Sequence, residues 1–347
     1  MKKLITTLTN IWKIEDLRKR ILNTLLFLLI YRVGCHVVLP GVNPDALVDK
    51  GDNGNSILDL INMFAGGSFS RAAIFALGVM PYISASIVVQ LLGIAVPAFQ
   101  KMQKEGESGR KKMTQITRYL TLAITLVQAV AYVKTQIAAD AKMMSDPMFT
   151  VLSAVVLTAG TMFVMWLGEK ITDKGIGNGI SLIIMTGIIA QLPAGIVAEW
   201  GSRMSPSGGG PIPLLLEFVA LFFVVIFAIL IVQGVRKIPV QYAKKIVGNK
   251  QVGGVRQYIP LKVNAAGVMP IIFAQAIMFL PMSLKQFFPN IQSEFLTSLG
   301  NYTSVAYNVT FALLIIAFTF FYTAIMVNPQ QMSEDMKKNG GFIPGIK

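Results

Sequence analysis

The sequence predicts an all-α, polytopic membrane protein, and three observations carry that reading. The first is composition. Of 347 residues, 54% are hydrophobic before the 30 glycines are counted, and only 14% are charged; soluble domains reach about 45–50% with glycine included and carry about 25% charge. The second is a series of apolar runs near 20 residues, the length that crosses a hydrocarbon core as a helix. The third is the sidedness of Lys and Arg between those runs.

Eight spans are expected, near Ile21–Pro40, Ile74–Val96, Tyr119–Ala138, Phe149–Gly168, Gly179–Ala198, Leu214–Val235, Val263–Pro281 and Val305–Val327. The first is long, follows a charged segment and lacks a small-residue cleavage pattern, so it is not read as a signal peptide. Eight spans put both termini on one side. The segments on that side (1–20, 97–118, 169–178, 236–262 and 328–347) hold 24 of the 31 Lys and Arg residues and 8 of the 17 carboxylates. That asymmetry predicts cytoplasmic termini in the cytoplasmic (inner) membrane.

Two segments depart from a plain bundle. Within the long connection Gly41–Arg71, the stretch Ser56–Ala65 places Ile57, Leu58, Leu60, Ile61 and Phe64 on a helical stripe. It is too short to span, which predicts a re-entrant piece or a helix lying on the membrane surface. The connection Arg236–Lys262 carries Arg236, Lys237, Lys244, Lys245, Lys250, Arg256 and Lys262 and no acidic residue. Val240, Tyr242, Val247, Val252 and Val255 around Gly248-Asn249 predict a strand pair there. Positive-inside bias accounts for its sign; its length and lack of carboxylates point further, to docking of an acidic partner.

Catalytic and metal constellations are not found. One cysteine, Cys35, excludes an internal disulfide and a cysteine-rich metal site, and one histidine, His36, excludes a histidine cluster. Gly175-Ile176-Gly177-Asn178-Gly179 lacks the spacing and lysine of a phosphate loop and reads as a turn opening a helix. No cofactor is implied. Ion-coupled transporters keep charged groups at the midplane; here Arg32 lies within snorkelling reach of an interface and Glu217 at the outer start of the sixth span. Neutral Ser84, Ser86, Gln90, Thr121, Gln128, Asn264 and Gln275 suit interhelical hydrogen bonds. A secondary transporter of a small solute is the alternative reading, and an intramembrane protease a third; neither finds its charged or paired groups in the spans.

Several blocks then resemble one family. Residues 66–92 (GGSFSRAAIFALGVMPYISASIVVQLL) look like the plug end and second helix of SecY, the channel subunit of the bacterial Sec protein translocon. Residues 173–193 (DKGIGNGISLIIMTGIIAQLP) resemble its fifth helix and 262–273 (KVNAAGVMPIIF) the start of its seventh. The tail GGFIPGIK resembles the cytoplasmic loop after its eighth. The likeness runs from about Ile14 to Lys347.

The resemblance implies an inverted-repeat helix bundle. Residues 1–200 would form an N-terminal half of five spans with a plug about 56–70. Residues 201–347 would form an incomplete C-terminal half of three spans with the basic loop 236–262. It implies a protein-conducting channel without chemistry of its own, passing unfolded chains across the membrane and apolar segments sideways into lipid. Val79, Ile83, Ile180, Ile184 and Ile272 would ring the waist; Val79/Ile83 and Ile180/Ile184 are i,i+4 pairs that share a helix face. Ile57, Leu58, Leu60, Ile61 and Phe64 would belong to the plug, with Gly66-Gly67 as its hinge, and Ser84, Gln90 and Asn264 would sit at the lateral gate. Arg236, Lys237, Lys244, Lys245, Lys250, Arg256 and Lys347 would dock the ribosome or the SecA motor ATPase, Arg256 foremost. Implied partners also include SecE, SecG, signal sequences, nascent polypeptides and membrane lipids. The family has ten spans and eight are expected here, so the sequence reads as truncated, without the tenth helix's pore residue. Lys347 stands where many members have an arginine, keeping the charge without the bidentate fork.

Overall fold

A computed structural model of the chain describes residues 6, 12–44, 62, 65–137, 139–205, 209–242, 245–247, 250–252, 256–271, 273–275, 277–278, 298–299, 304–327, 329–338 and 341–342. The fold is all-α and polytopic, with a small strand region. The helices are α1 (Glu15–Gly34), α2 (Met80–Ala95), α3 (Pro97–Lys104), α4 (Glu107–Gln136), α5 (Asp146–Lys174), α6 (Gly179–Met204), α7 (Pro211–Gln233), α8 (Val305–Met326) and α9 (Pro329–Lys338). Among the described residues, α4, α5, α6, α7 and α8 are each long and apolar enough to cross a membrane, and α2 with α3 forms a sixth, bent candidate. The seventh expected span is helical at 269–271, 273–275 and 277–278.

Two compact units divide the chain. One comprises Met1–Val197 and Leu280–Ser304, the other Ala198–Phe279 and Val305–Lys347.

In the first unit α1 begins at Glu15 and ends at Gly34, earlier than the apolar run. After it the backbone turns, and Val38 bridges Ala73. The second expected span differs most. Its helix starts only at Met80, with Pro81 in the first turn, where a missing N–H costs nothing. The preceding 65–79 is a chain of turns, yet Ala65, Phe69, Ala72, Ala73, Phe75, Ala76, Leu77 and Val79 are all buried. Buried backbone without helix must find partners elsewhere. Leu39 N donates to Ala72 O at 2.9 Å and Ile74 N to Val37 O at 2.9 Å. Ser68 Oγ lies 2.7 Å from Ala65 O and 3.1 Å from Phe75 O.

The charged connection 97–118 is largely helical. Val96 is extended and Pro97 opens α3, which leaves α2 at 100°. α4 then starts at Glu107, steadied by the i,i+4 pair Glu107–Lys111. α4 and α5 are tied by a forked ion pair, Arg118 Nε to Glu169 Oε1 at 3.2 Å and Nη2 to Oε2 at 2.6 Å. Within the spans, Thr121, Thr125 and Thr158 return their hydroxyls to the carbonyl four residues back, which settles a polar group where water is scarce. The glycine-rich turn before α6 acts as a helix opening: Asn178 Oδ1 accepts from Ile180 N at 3.1 Å and Ser181 N at 3.3 Å. Thr24 Oγ1 of α1 accepts from Ile176 N at 3.1 Å and braces the same turn.

In the second unit, Arg203 at the end of α6 pairs with Glu199 at 2.8 Å and with Glu217 of α7, which occupies the carboxylate the sequence placed at the start of that span. Phe273 packs on α8, its ring 5.4 Å from Phe318 and 6.0 Å from Tyr322. The basic connection holds the expected strand pair, β2 (Lys245–Val247) antiparallel to β3 (Lys250–Val252) in the register Val247↔Lys250. It also holds an outer pair, β1 (Val235–Tyr242) antiparallel to β4 (Arg256–Lys262) in the register Val235↔Lys262. β5 (Gly341–Phe342) joins the other edge of β1 through Gln241↔Phe342.

Candidate functional site

The region of interest in the first unit is an apolar cluster where four segments meet. Tyr31 and Cys35 come from α1 and the turn after it, Phe75 and Val79 from the irregular stretch, Val164, Leu167 and Ile171 from α5, and Ile183 from α6. Phe27, Leu28, Ile74, Tyr82, Ile83, Ile180, Leu182 and Ile184 pack against it, half-buried. Four of the five waist candidates, Val79, Ile83, Ile180 and Ile184, therefore lie in or on one cluster. Val79 is the N-cap residue of α2, and its carbonyl accepts from Ile83 N at 3.0 Å, so the pair shares one face as the spacing requires. Ile272 lies outside the described residues.

A stack of rings stiffens the cluster's edge: Tyr31 to Phe75 at 6.1 Å, Phe75 to Phe163 at 5.9 Å and Phe163 to Trp166 at 5.7 Å between centroids. Such offset aromatic pairs add about 0.5–1.5 kcal/mol each beyond area burial. Cys35 is fully buried here, and His36 Nδ1 lies 3.0 Å from Arg32 O, both in packing roles.

The lateral-gate candidates bond locally. Ser84 donates to Met80 O at 3.1 Å, Gln90 to Ser86 Oγ at 3.1 Å, and Asn264 Oδ1 accepts from Gly267 N at 2.9 Å. Interhelical bonding was the sequence expectation; these bonds are local because a carbonyl, hydroxyl or amide three or four residues away is in reach. Arg32 adds to expectation. Beyond the expected reach toward an interface, its guanidinium donates through Nη1 to Gly66 O at 3.0 Å.

Plug candidates Ile57, Leu58, Leu60, Ile61 and Phe64 lie outside the described residues, as do Lys244 and Lys347. In the basic connection, Arg236 and Lys237 are exposed on β1, Lys245 and Lys250 lie on β2 and β3, and Arg256 opens β4. Sequence reasoning missed Arg71, Tyr132 and Gln191, whose side chains reach carbonyls in 62–69. Only Arg32, a charge inside an apolar run, carried a signal.

The SecY family model matches residues 73–347. A protein translocase subunit SecY from Halalkalibacterium halodurans is 42% identical over 98% of this chain and 81% of its own length. The chain belongs to the SecY family. SecY proteins from Streptomyces scabiei and Aquifex aeolicus are each 40% identical, over 99% and 97% of this chain and 82% and 80% of their own lengths. Among solved structures, one of a protein conducting channel superposes with TM-score 0.63 at 18% identity, covering 95% of this chain and 78% of that one. Sec61 in the canine ribosome–channel complex superposes at TM-score 0.60 with 18% identity, covering 94% of this chain and 77% of Sec61. The fold, a bundle of apolar helices, is thus shared with these channel structures.

Proposed function

We propose that the chain is the central protein-conducting channel subunit of a Sec translocase, passing unfolded secretory chains across the membrane and apolar segments sideways into lipid. The observation that carries this is the 42% identity to a protein translocase subunit SecY along nearly the whole chain. The meeting of Val79, Ile83, Ile180 and Ile184 supports it physically. Branched apolar side chains around a constriction exclude water and ions yet yield to a threading peptide. Ile272 completes the ring in this reading, and Ser84, Gln90 and Asn264 form the lateral gate. Ile57, Leu58, Leu60, Ile61 and Phe64 form the plug.

The protein catalyses no reaction in this reading; the driving force comes from a translating ribosome or from SecA. Arg236, Lys237, Lys244, Lys245, Lys250, Arg256 and Lys347 give the docking surface, supported by a 27-residue connection with no carboxylate. SecE and SecG are the companion subunits. Residues 1–200 and 201–347 act as the two halves, in the cytoplasmic membrane with the termini facing the cytoplasm, as the Lys and Arg distribution supports.

The test is ion conductance in planar bilayers. Ile83→Gly with Ile184→Gly raises the resting leak above that of the parent; equal conductance removes the waist, and with it the geometric support for a channel.

A further inference from the structure

The stretch between α1 and α2 is gripped from several sides at its carbonyl oxygens. Gly66 and Gly67 take left-handed conformations, φ +64° and +82°, which glycine alone adopts without strain. Both are buried, and a Cβ at Gly66 would lie 3.1 Å from the Cα of Gly187 on α6. The Gly66 carbonyl accepts from two guanidiniums, Arg32 Nη1 at 3.0 Å and Arg71 Nη2 at 3.0 Å, and Arg71 Nε reaches Gly67 O at 2.9 Å. Tyr132 of α4 donates to Phe69 O at 2.5 Å, and Gln191 of α6 to Asn62 O at 3.3 Å. The glycine pair is a clamped turn, not a free joint.

Arg32 stands out in this set. A guanidinium within an apolar run expected to cross a membrane is costly unless paired or bonded to carbonyls. Among the described residues Arg32 has no carboxylate within ion-pair distance, and its charge is met by the Gly66 oxygen. From that oxygen, a braced path leads to the waist. Ser68 bridges Ala65 O and Phe75 O, Ala73 N donates to Ser68 O at 3.1 Å, and Gly78 N to Phe75 O at 2.9 Å. Val79 follows directly.

We propose that Arg32 is a positioning residue for the channel: by holding the Gly66 carbonyl it fixes the 65–79 stretch, and through it sets Val79 at the constriction. This rests on the channel reading above. It assigns a charged side chain in α1, outside the set of constriction residues, to the resting seal. Arg71 assists from within the stretch, and the two like charges share one acceptor with two lone pairs.

The experiment compares Arg32→Met and Arg32→Lys with the parent, each as the full chain in lipid nanodiscs, by hydrogen exchange and then by bilayer conductance. Arg32→Met speeds exchange of peptides covering 65–79 by about tenfold, the loss of one charge-assisted hydrogen bond, while peptides of α4 and α5 keep the parent's rates. Its resting leak rises. Arg32→Lys, which can still donate to Gly66 O, restores both. Unchanged exchange in Arg32→Met overturns the proposal, as does equal acceleration in α4 and α5, which would mean general packing. So does failure of Arg32→Lys to restore protection, or faster exchange with no added leak while Ile83→Gly/Ile184→Gly does leak. If that control also stays tight, the channel reading fails on its own, and the exchange rates alone decide whether Arg32 holds the stretch.

Discussion

Replacing Gly34 by alanine tests the packing around Phe75 in the apolar cluster. A Cβ built there lies 2.0 Å from Phe75 Cε2, 2.6 Å from Cδ2 and 2.7 Å from Cζ, where ordinary contact begins at 3.4 Å. The overlap of about 1.4 Å is too large for small adjustments to absorb. The Phe75 ring cannot simply swing aside, since it is buried and stacked between Tyr31 and Phe163. Overpacking of this kind costs about 1–3 kcal/mol. The assay is denaturant unfolding of the protein in mixed micelles, with a double-mutant cycle. Gly34→Ala alone is destabilised by that amount. Phe75→Leu removes the obstructing ring edge, so Gly34→Ala/Phe75→Leu is more stable than the sum of the single effects by about 1 kcal/mol or more, within the usual coupling range of contacting residues. Additive effects, or a Gly34→Ala variant as stable as the parent, would refute the close approach and the rigid ring stack together.

Four further outcomes are expected. Ile83→Gly with Ile184→Gly raises resting ion conductance in planar bilayers. Arg256→Glu weakens ribosome or SecA binding, read as a shift in the binding curve and a shallower salt dependence, because one basic contact becomes a repulsion. Asn178→Ala removes the acceptor for Ile180 N and Ser181 N and lowers stability by about 0.5–2 kcal/mol, measured by thermal unfolding. Asn264→Leu leaves the Gly267 amide without its side-chain acceptor and changes export of weak signal sequences in a translocation assay.

The helices were legible because burial in lipid demands long apolar runs, and those runs are visible one residue at a time. Ile74–Val79 shows where that logic fails. Hydropathy reports that a segment is out of water and not that its backbone is helical, so buried turns read as the start of a span. Pro81 and Gly78, the latter at φ +51°, carried the corrective signal. Residues 97–118, read only as a charged connection, are largely helical, and the i,i+4 pair Glu107–Lys111 sits in the first turn of α4. The β2–β3 pair could be read from alternation and the turn-like Gly248-Asn249, whereas β1 and β4 carry Pro239 and Pro260, which argue against strands until each falls on a position the register tolerates. At the site, i,i+4 spacing indicates that Val79 faces with Ile83, and Ile180 with Ile184. That the two faces meet is a matter of tertiary packing. The bond from Arg32 to Gly66 joins residues 34 positions apart, and no local pattern encodes it.

The two-residue strand β5 has a mechanical implication. Gln241 pairs with Phe342, and the same β1 strand is zipped along its length to β4. Whatever tugs on the positively charged ribbon therefore pulls as well on the polypeptide trailing α8 and α9, because strand pairing yokes the two excursions into one lever. A load applied at either handle is felt at both.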